Sequence, residues 1–384
     1  MKIGIMTFWW SEDNYGQLLQ CYALQKYLQN EGHDVYLIRY DPRGDYTKSS
    51  IWKKILKVSN PVTLYKYLLY KRRKVINMRE KREHPRNFEG FRNEYIKQSE
   101  KIYYSYRELV ENSPPADIYI VGSDQIWNTF GVPVNRAINI LNAYLLNFGD
   151  SWIKRVSYAA SFGKKKLDND FVDVFSSLLK KFDYVSVREK SGLEICKQCG
   201  IDNAEWVPDP TMLLDVDVYR AFYKCEKNIE KSNKPYCFLY LVENKLNFPV
   251  QSIYSWAKDK GIEVMYITGN SLNDKYEKIY ATIPEWIYLL EHAEYVITNS
   301  YHCTIFSLLF KKKFGVIPLA GKNIGMNNRL DTIFELFRIE ARLIDIDLSI
   351  LDKDINWQLV SDTFHNIRDI CQLNRSICGK MVCP

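Results

Sequence analysis

The sequence predicts an α/β protein built as two halves, each a parallel sheet flanked by helices, and three observations carry that prediction. Lys2 to Phe8 is an apolar run of strand length, followed by a loop from Trp9 to Gly16, a helical pattern from about Gln17 to Glu31 and a second strand from Asp34 to Tyr40. A strand, helix and strand in that order pair in parallel, because the helix carries the chain back to the same end of the sheet. The alternation restarts at Tyr236 with a strand, a helix over about Pro249 to Lys260 and a strand over Ile262 to Thr268. Glu294 to Pro318 then reads as buried strand, tight turn, helix and buried strand. A chain of 384 residues exceeds one ordinary core, which agrees with two domains.

Each element has a local reason. Leu18, Leu19, Ala23, Leu24, Tyr27 and Leu28 give the first helix its apolar face, and Gly32 closes it. Ala116 to Val121 is a strand running into a Gly122-Ser123-Asp124 turn, and Val156 to Gly163 repeats strand and small-residue turn. A helix over Phe171 to Phe182 leads to a strand over Tyr184 to Glu189, and the two prolines of Trp206 to Thr211 keep the end of the first half extended. The hydrophilic run Lys224 to Lys234 marks the domain boundary. Helices over Pro284 to His292, Asn328 to Phe337 and Trp357 to Cys378 complete the pattern. The expected limits are 1–215, 216–345 and a helical tail, 346–384, that packs back on the first domain, with the two halves facing across a cleft.

Composition narrows the class. With 46% hydrophobic and 26% charged residues the chain is an ordinary globular protein. No stretch approaches the roughly 20 apolar residues of a membrane span, and the start has no signal-peptide pattern, so the expected location is cytoplasmic. The nine cysteines suit a reducing compartment: Cys21, Cys225, Cys237 and Cys303 sit inside apolar patterns, and the Cys196–Cys199 pair has no second pair at zinc-site spacing. No metal is expected. The net charge of +7 is concentrated between Trp52 and Arg107, where sixteen Lys/Arg face five Glu. Tyr65, Tyr67, Leu68, Leu69 and Tyr70 give that insertion, about 50–110, an amphipathic helical character. It suits an anionic membrane face, a polyanionic substrate or plain solvent, and no nucleic-acid reader motif accompanies it.

Candidate site residues fall at carboxyl ends of predicted strands, where open α/β sheets collect ligands. His302 lies in the first turn of the helix that follows the cap residues Asn299 and Ser300, beside unpaired backbone N–H groups and the positive end of the helix dipole. Asp124 is either a catalytic carboxylate or a helix cap. Arg188 either forks onto phosphate or carboxylate or pairs with Glu189 or another neighbouring acid. The first turn holds no GxGxxG, which argues against a dinucleotide site.

Six segments in order carry a resemblance: Asn14-Tyr15-Gly16 with Gln20-Cys21-Tyr22-Ala23-Leu24, then VGSDQIWN (121–128), YAASFG (158–163), SVREKSG (186–192), VPDPTMLL (207–214) and TNSYHCTIFSLLF (298–310). Together they resemble the polysaccharide pyruvyl transferase family over about residues 3–340. The resemblance implies two Rossmann-like domains similar to the GT-B glycosyltransferases. It also implies transfer of the enolpyruvyl group of phosphoenolpyruvate to two hydroxyls of one sugar, forming a pyruvate ketal and releasing phosphate, with no cofactor. The acceptor it implies is a capsule, exopolysaccharide or similar glycan, or its lipid-linked precursor. The basic segment is not covered by the resemblance, and peripheral contact with an anionic membrane through about 52–107 is an expectation from its charge.

Carried over by motif, His302 is the proton donor near the phosphate and Asp124 a cleft carboxylate. Arg188 and Ser300 belong to the donor side, and Asn14, Tyr15, Gln125 and Asp209 to the acceptor side. Some relatives carry arginine two positions before the histidine, where this chain has Ser300. Lys322 and Arg329, after the last strand of the second half, are the substitute cations. Two other readings stay open: a nucleotide-sugar glycosyltransferase of the same architecture, and a non-catalytic glycan-binding protein.

Overall fold

A computed structural model describes residues 1–45, 61–129, 133–224, 226, 233–242, 248–269, 274–319, 327–344 and 347–373. In the first half, strands β1 (Lys2–Met6), β2 (Asp34–Tyr40), β3 (Gln98–Tyr103), β4 (Ile118–Val121) and β5 (Lys154–Ser157) form one sheet in the order β3-β2-β1-β4-β5. Every pairing is parallel. Strands β6 (Ser186–Val187) and β7 (Glu205–Trp206) extend it through the parallel bridges Val156↔Tyr184 and Ala160↔Val187. The inner strands are buried on both faces, with β4 wholly so, as a sheet covered by crossover helices requires.

The second half repeats the plan. Strands β8 (Tyr236–Leu241), β9 (Glu263–Thr268), β10 (Tyr295–Thr298) and β11 (Lys313–Val316) lie in the parallel order β11-β10-β8-β9. In both sheets the order reverses beside the first strand, between β1 and β4 and between β8 and β10. Those are the points where an open α/β sheet leaves a crevice at its carboxyl edge. The architecture is two Rossmann-like domains facing across a cleft.

Helix Tyr15–Asn30 starts two residues earlier than the pattern predicts, because the Asn14 side chain caps it by accepting the Gln17 N–H at 3.2 Å. The strand expected over Tyr184–Glu189 contracts to two paired residues. The basic segment is not purely a helical insertion: it holds helices Pro61–Glu83, Phe88–Tyr95 and Tyr106–Glu111, but also β3. The charged residues of β3 disguise it, since an edge strand pairs on one side only and keeps polar side chains in water. Helix Trp357–Leu373 touches both halves: Arg368 donates to the Leu214 carbonyl at 2.8 Å, and the Phe364 ring packs 4.6 Å from Phe337. Among the described residues no helix is long and apolar enough to cross a membrane.

The halves are joined next to the crevice. The buried Tyr15 hydroxyl donates to the Ala281 carbonyl at 2.6 Å, and its ring stacks on Trp286 at 5.3 Å and meets Tyr240 edge-on at 5.6 Å.

Candidate active site

Asp209 is the hub of the crevice. Asp209 has no exposed surface, and its Oδ1 accepts from the Thr211 amide and hydroxyl, which fixes the carboxylate at the start of the short helical turn Pro210–Met212. Its Oδ2 accepts from Arg188 Nη1 at 2.9 Å and from the Ser123 hydroxyl at 3.2 Å, and lies 3.5 Å from His302 Nε2. One carboxylate oxygen therefore gathers groups from both domains. Burial alone would raise its pKa, but the charges of His302 and Arg188 and the Thr211 hydrogen bond outweigh that and hold it well below the usual carboxylate range.

His302 arrives from the other domain. Ser300 caps helix Tyr301–Leu309, its hydroxyl accepting the Cys303 N–H at 3.4 Å, which leaves the Tyr301 and His302 amides in the turn where a helix supplies no partner. The His302 ring is buried against the start of helix Tyr15–Asn30. A Cβ on Gly16 would stand only 2.3 Å from His302 Nδ1, so no residue but glycine leaves the ring its place.

Arg188 extends from the end of β6, its backbone held by the Ala160 carbonyl, and its side chain is fully buried. Besides Asp209 it faces Glu189, Nε to Oε1 at 3.3 Å, and its guanidinium lies 4.4 Å over the Tyr301 ring. Burial disfavours the charge, yet Glu189, Tyr301 and Asp209 raise its pKa, so it is cationic. Among the described residues its Nη2 has no hydrogen-bond partner. Of the two readings of Arg188, the paired one is realised, with Nη2 alone left to meet a ligand.

Arg329, in helix Asn328–Leu336, brings a second guanidinium to the same ring, 5.4 Å from the Tyr301 centroid. Burial and the neighbouring Arg188 charge lower its pKa. Such a pair of like charges favours an anion between them. Asp124 is buried, and its charge acts on both arginines. No helix begins at its turn, and among the described residues its carboxylate accepts the Gln125 amide, at 2.8 Å. That excludes the cap reading.

The remaining residues divide. Asn14 is half-buried as a cap, and Gln125 is half-buried with its Oε1 accepting from Asn128 Nδ2. Tyr15 is walled in between the domains and offers a ligand nothing directly. Lys322 lies outside the described residues. Sequence reasoning named Glu189 only as a neighbour of Arg188 and passed over Gly16, Tyr301 and Ser123 as site members, although each sits inside a quoted motif; their contacts with His302, Arg188 and Asp209 link residues remote in the chain and leave no local pattern. Among the described residues no cluster of His, Cys, Asp or Glu could hold a metal ion.

This arrangement can hold an anion and move a proton. It presents a carboxylate kept ionised, an imidazole beside it, two guanidinium groups and a helix N-terminus, all within a crevice formed by two domains.

The chain is similar in shape to several solved structures. The UDP-GlcNAc 2-epimerase of Methanocaldococcus jannaschii matches at 12% identity, TM-score 0.48, covering 98% of this chain and 100% of that one. A glycosyltransferase of Rickettsia africae matches at 12% identity, TM-score 0.47, covering 100% and 98%. The UDP-N-acetylglucosamine 2-epimerase of Rickettsia bellii matches at 10% identity, TM-score 0.47, covering 98% and 99%. At that distance the likeness carries no argument about chemistry. No curated protein matches the sequence. The family model for polysaccharide pyruvyl transferase matches residues 14–319, a span that includes Asp124, Arg188, Asp209 and His302. The chain belongs to the polysaccharide pyruvyl transferase family and is a transferase.

Proposed function

We propose that the protein transfers the pyruvyl unit of phosphoenolpyruvate to two hydroxyls of one sugar in a polysaccharide or its lipid-linked precursor, forming a cyclic ketal and releasing phosphate. Peripheral contact with an anionic membrane face belongs to the same reading. The observation that carries it is the Asp209–His302 pair beside two guanidinium groups that share Tyr301.

The chemistry makes three demands. The methylene C3 of the enol must gain a proton, the phosphate and carboxylate must be held, and the attacking hydroxyls must lose protons. His302, whose Nε2 faces the ionised Asp209 at 3.5 Å, gives a proton to C3. The first hydroxyl bonds to C2, the C2–O bond to phosphate breaks with its electron pair on the phosphate, and the second hydroxyl closes the ring. Asp124 is the base that takes each hydroxyl proton in turn and passes it on, so that one restores His302 and the other leaves on phosphate. Arg329, Arg188 Nη2 and the helix start at Ser300 hold the anionic donor, with Lys322 as a further cation. Gln125 and Asn14 face the acceptor.

The test is thermal stability with and without millimolar phosphoenolpyruvate, with UDP as control, for the wild type, Arg329→Ala and His302→Asn. A ligand at about 100 times its Kd raises stability by about 2.7 kcal/mol. A rise with phosphoenolpyruvate alone, lost in Arg329→Ala, is expected. A rise with UDP alone would replace this reading with a glycosyltransferase.

A further inference from the structure

Seven of the twelve large apolar side chains that stand exposed among the described residues lie on one helix, Pro61–Glu83. Tyr65, Leu68, Leu69, Val75 and Ile76 follow at spacings of three, four and seven, so they share one face. Arg72 and Arg79 continue the same face, both exposed. Over the whole helix eight Lys/Arg face two Glu. A face both apolar and basic, turned to water, costs free energy unless something covers it.

The other end of the helix is tied down at the cleft. Glu80 Oε1 accepts from the Tyr280 hydroxyl of the second domain at 2.5 Å, while Lys81 Nζ lies 3.1 Å from both Glu12 and Asp13 of the first. Just beyond, the buried Arg86 donates to the Thr268 carbonyl at 2.9 Å. Glu12 and Asp13 lead directly into Asn14, Tyr15 and Gly16, the loop against which His302 packs. The helix is thus an arm fastened to both domains at the mouth of the crevice, with its uncovered face leading away.

We infer that helix 61–83 is a docking arm for an anionic lipid bilayer, which holds the crevice at the membrane surface where a lipid-anchored glycan would be met. Charge selects this occupant. A second copy of the chain seated on the same face would set two strongly basic helices against each other, whereas anionic headgroups neutralise the Lys/Arg while the apolar side chains enter the interface. Arg79 is paired with Glu83 at 2.7 Å, but an exposed pair of that kind exchanges readily for a headgroup. The inference gives the glycan acceptor of the proposed function a physical setting, and its test needs neither acceptor nor donor.

Vesicles of phosphatidylcholine alone, or with about one part in three phosphatidylglycerol, are floated with the full chain, with Leu68→Glu/Val75→Glu and with Arg72→Glu. Binding to the anionic vesicles only is expected, weakened by high salt and reduced at least about tenfold in either variant. Far-UV circular dichroism and melting temperature stay at the wild-type values, because the altered side chains are exposed. Equal partition of the wild type to both vesicle types overturns the inference. So does undiminished binding by Leu68→Glu/Val75→Glu, and so does a stable dimer in ultracentrifugation that those substitutions dissolve. Loss of transferase activity on a water-soluble acceptor would count against the proposed function and leave these outcomes unaffected.

Discussion

His302 Nε2 lies 3.5 Å from Asp209 Oδ2, and that short distance joins an imidazole of the second domain to a buried carboxylate of the first. The two residues are far apart in sequence, and the cleft exists as a chemical site only when the domains are in register. Asp209 Oδ2 also receives Arg188 and Ser123, so the same oxygen ties the first domain together and faces the histidine of the second.

Asp209→Asn should therefore separate two effects. The fold loses the ionic partner of a buried arginine, a change worth about 3–5 kcal/mol. The imidazole loses the carboxylate charge 3.5 Å from its Nε2, and the catalytic rate at neutral pH falls by about 100-fold or more. NMR signals of the His302 ring, compared between the two proteins, check the second effect independently of stability. Unmoved ring signals would remove Asp209 from the proposed mechanism.

The same carboxylate predicts a pH dependence of stability. Its pKa is depressed in the folded protein, so its contribution is fully present above the ordinary carboxylate value of about 4 and is lost as the pH falls toward the lower folded value. Urea unfolding between pH 7 and pH 2 should show wild-type stability declining in the acid limb, with a shallower decline in Asp209→Asn. Parallel limbs would contradict the ionised assignment.

How much of this was legible in the sequence follows the range of the interaction. The strand-turn-helix that carries His302 and the parallel sheets rest on neighbours within a few residues, and periodicity and cap chemistry reveal them, whereas the cap at Asn14 escapes a reading that starts the helix at about Gln17. Strand β3 was hidden because an edge strand carries charges on its free side. Tyr15 looked like a site residue from its motif, yet Ala281, Trp286 and Tyr240 enclose it. Local pattern cannot announce a partner more than 200 residues away. Position at a strand end suggested Arg188 and the resemblance to a family supplied the site membership of Asp209, but only the fold supplies their mutual contact.

Tyr15→Phe tests the enclosed reading of that residue. Removing the hydroxyl leaves the buried Ala281 carbonyl without its donor, at about 1–3 kcal/mol. Unfolding should shift accordingly while KM for the acceptor is unchanged. A raised KM at unaltered stability would return Tyr15 to the acceptor site.

Gly16→Ala addresses the histidine through its packing. Alanine is the better helix former by about 1 kcal/mol, so propensity alone predicts a more stable protein. The added methyl would stand 2.3 Å from His302 Nδ1, and the ring has to move. A displacement of the order of 1 Å at a reacting group costs about 100-fold in rate. The expected result is a variant that folds but transfers slowly, with its His302 ring signals shifted, and full activity would show that the ring tolerates the move.

Arg188 and Arg329 share Tyr301 but should answer differently to replacement. Arg188 has its Nη1 and Nε committed to Asp209 and Glu189 and no exposed side-chain surface, so Arg188→Ala strands two buried carboxylates and costs about 3–5 kcal/mol. Its loss of activity would then report a damaged fold. Arg329 carries a pKa lowered by burial and by Arg188, although Glu189 and Asp124 support its charge, and a bound anion relieves the repulsion between the two guanidinium groups. Arg329→Ala leaves the Arg188–Asp209 pair intact and should therefore cost less stability than Arg188→Ala, while abolishing stabilisation by phosphoenolpyruvate. Measuring melting temperatures of both variants, free and with the donor, distinguishes the roles. If Arg188→Ala keeps its stability and loses the ligand response, the donor-binding guanidinium is Arg188, and Arg329 becomes the supporting one.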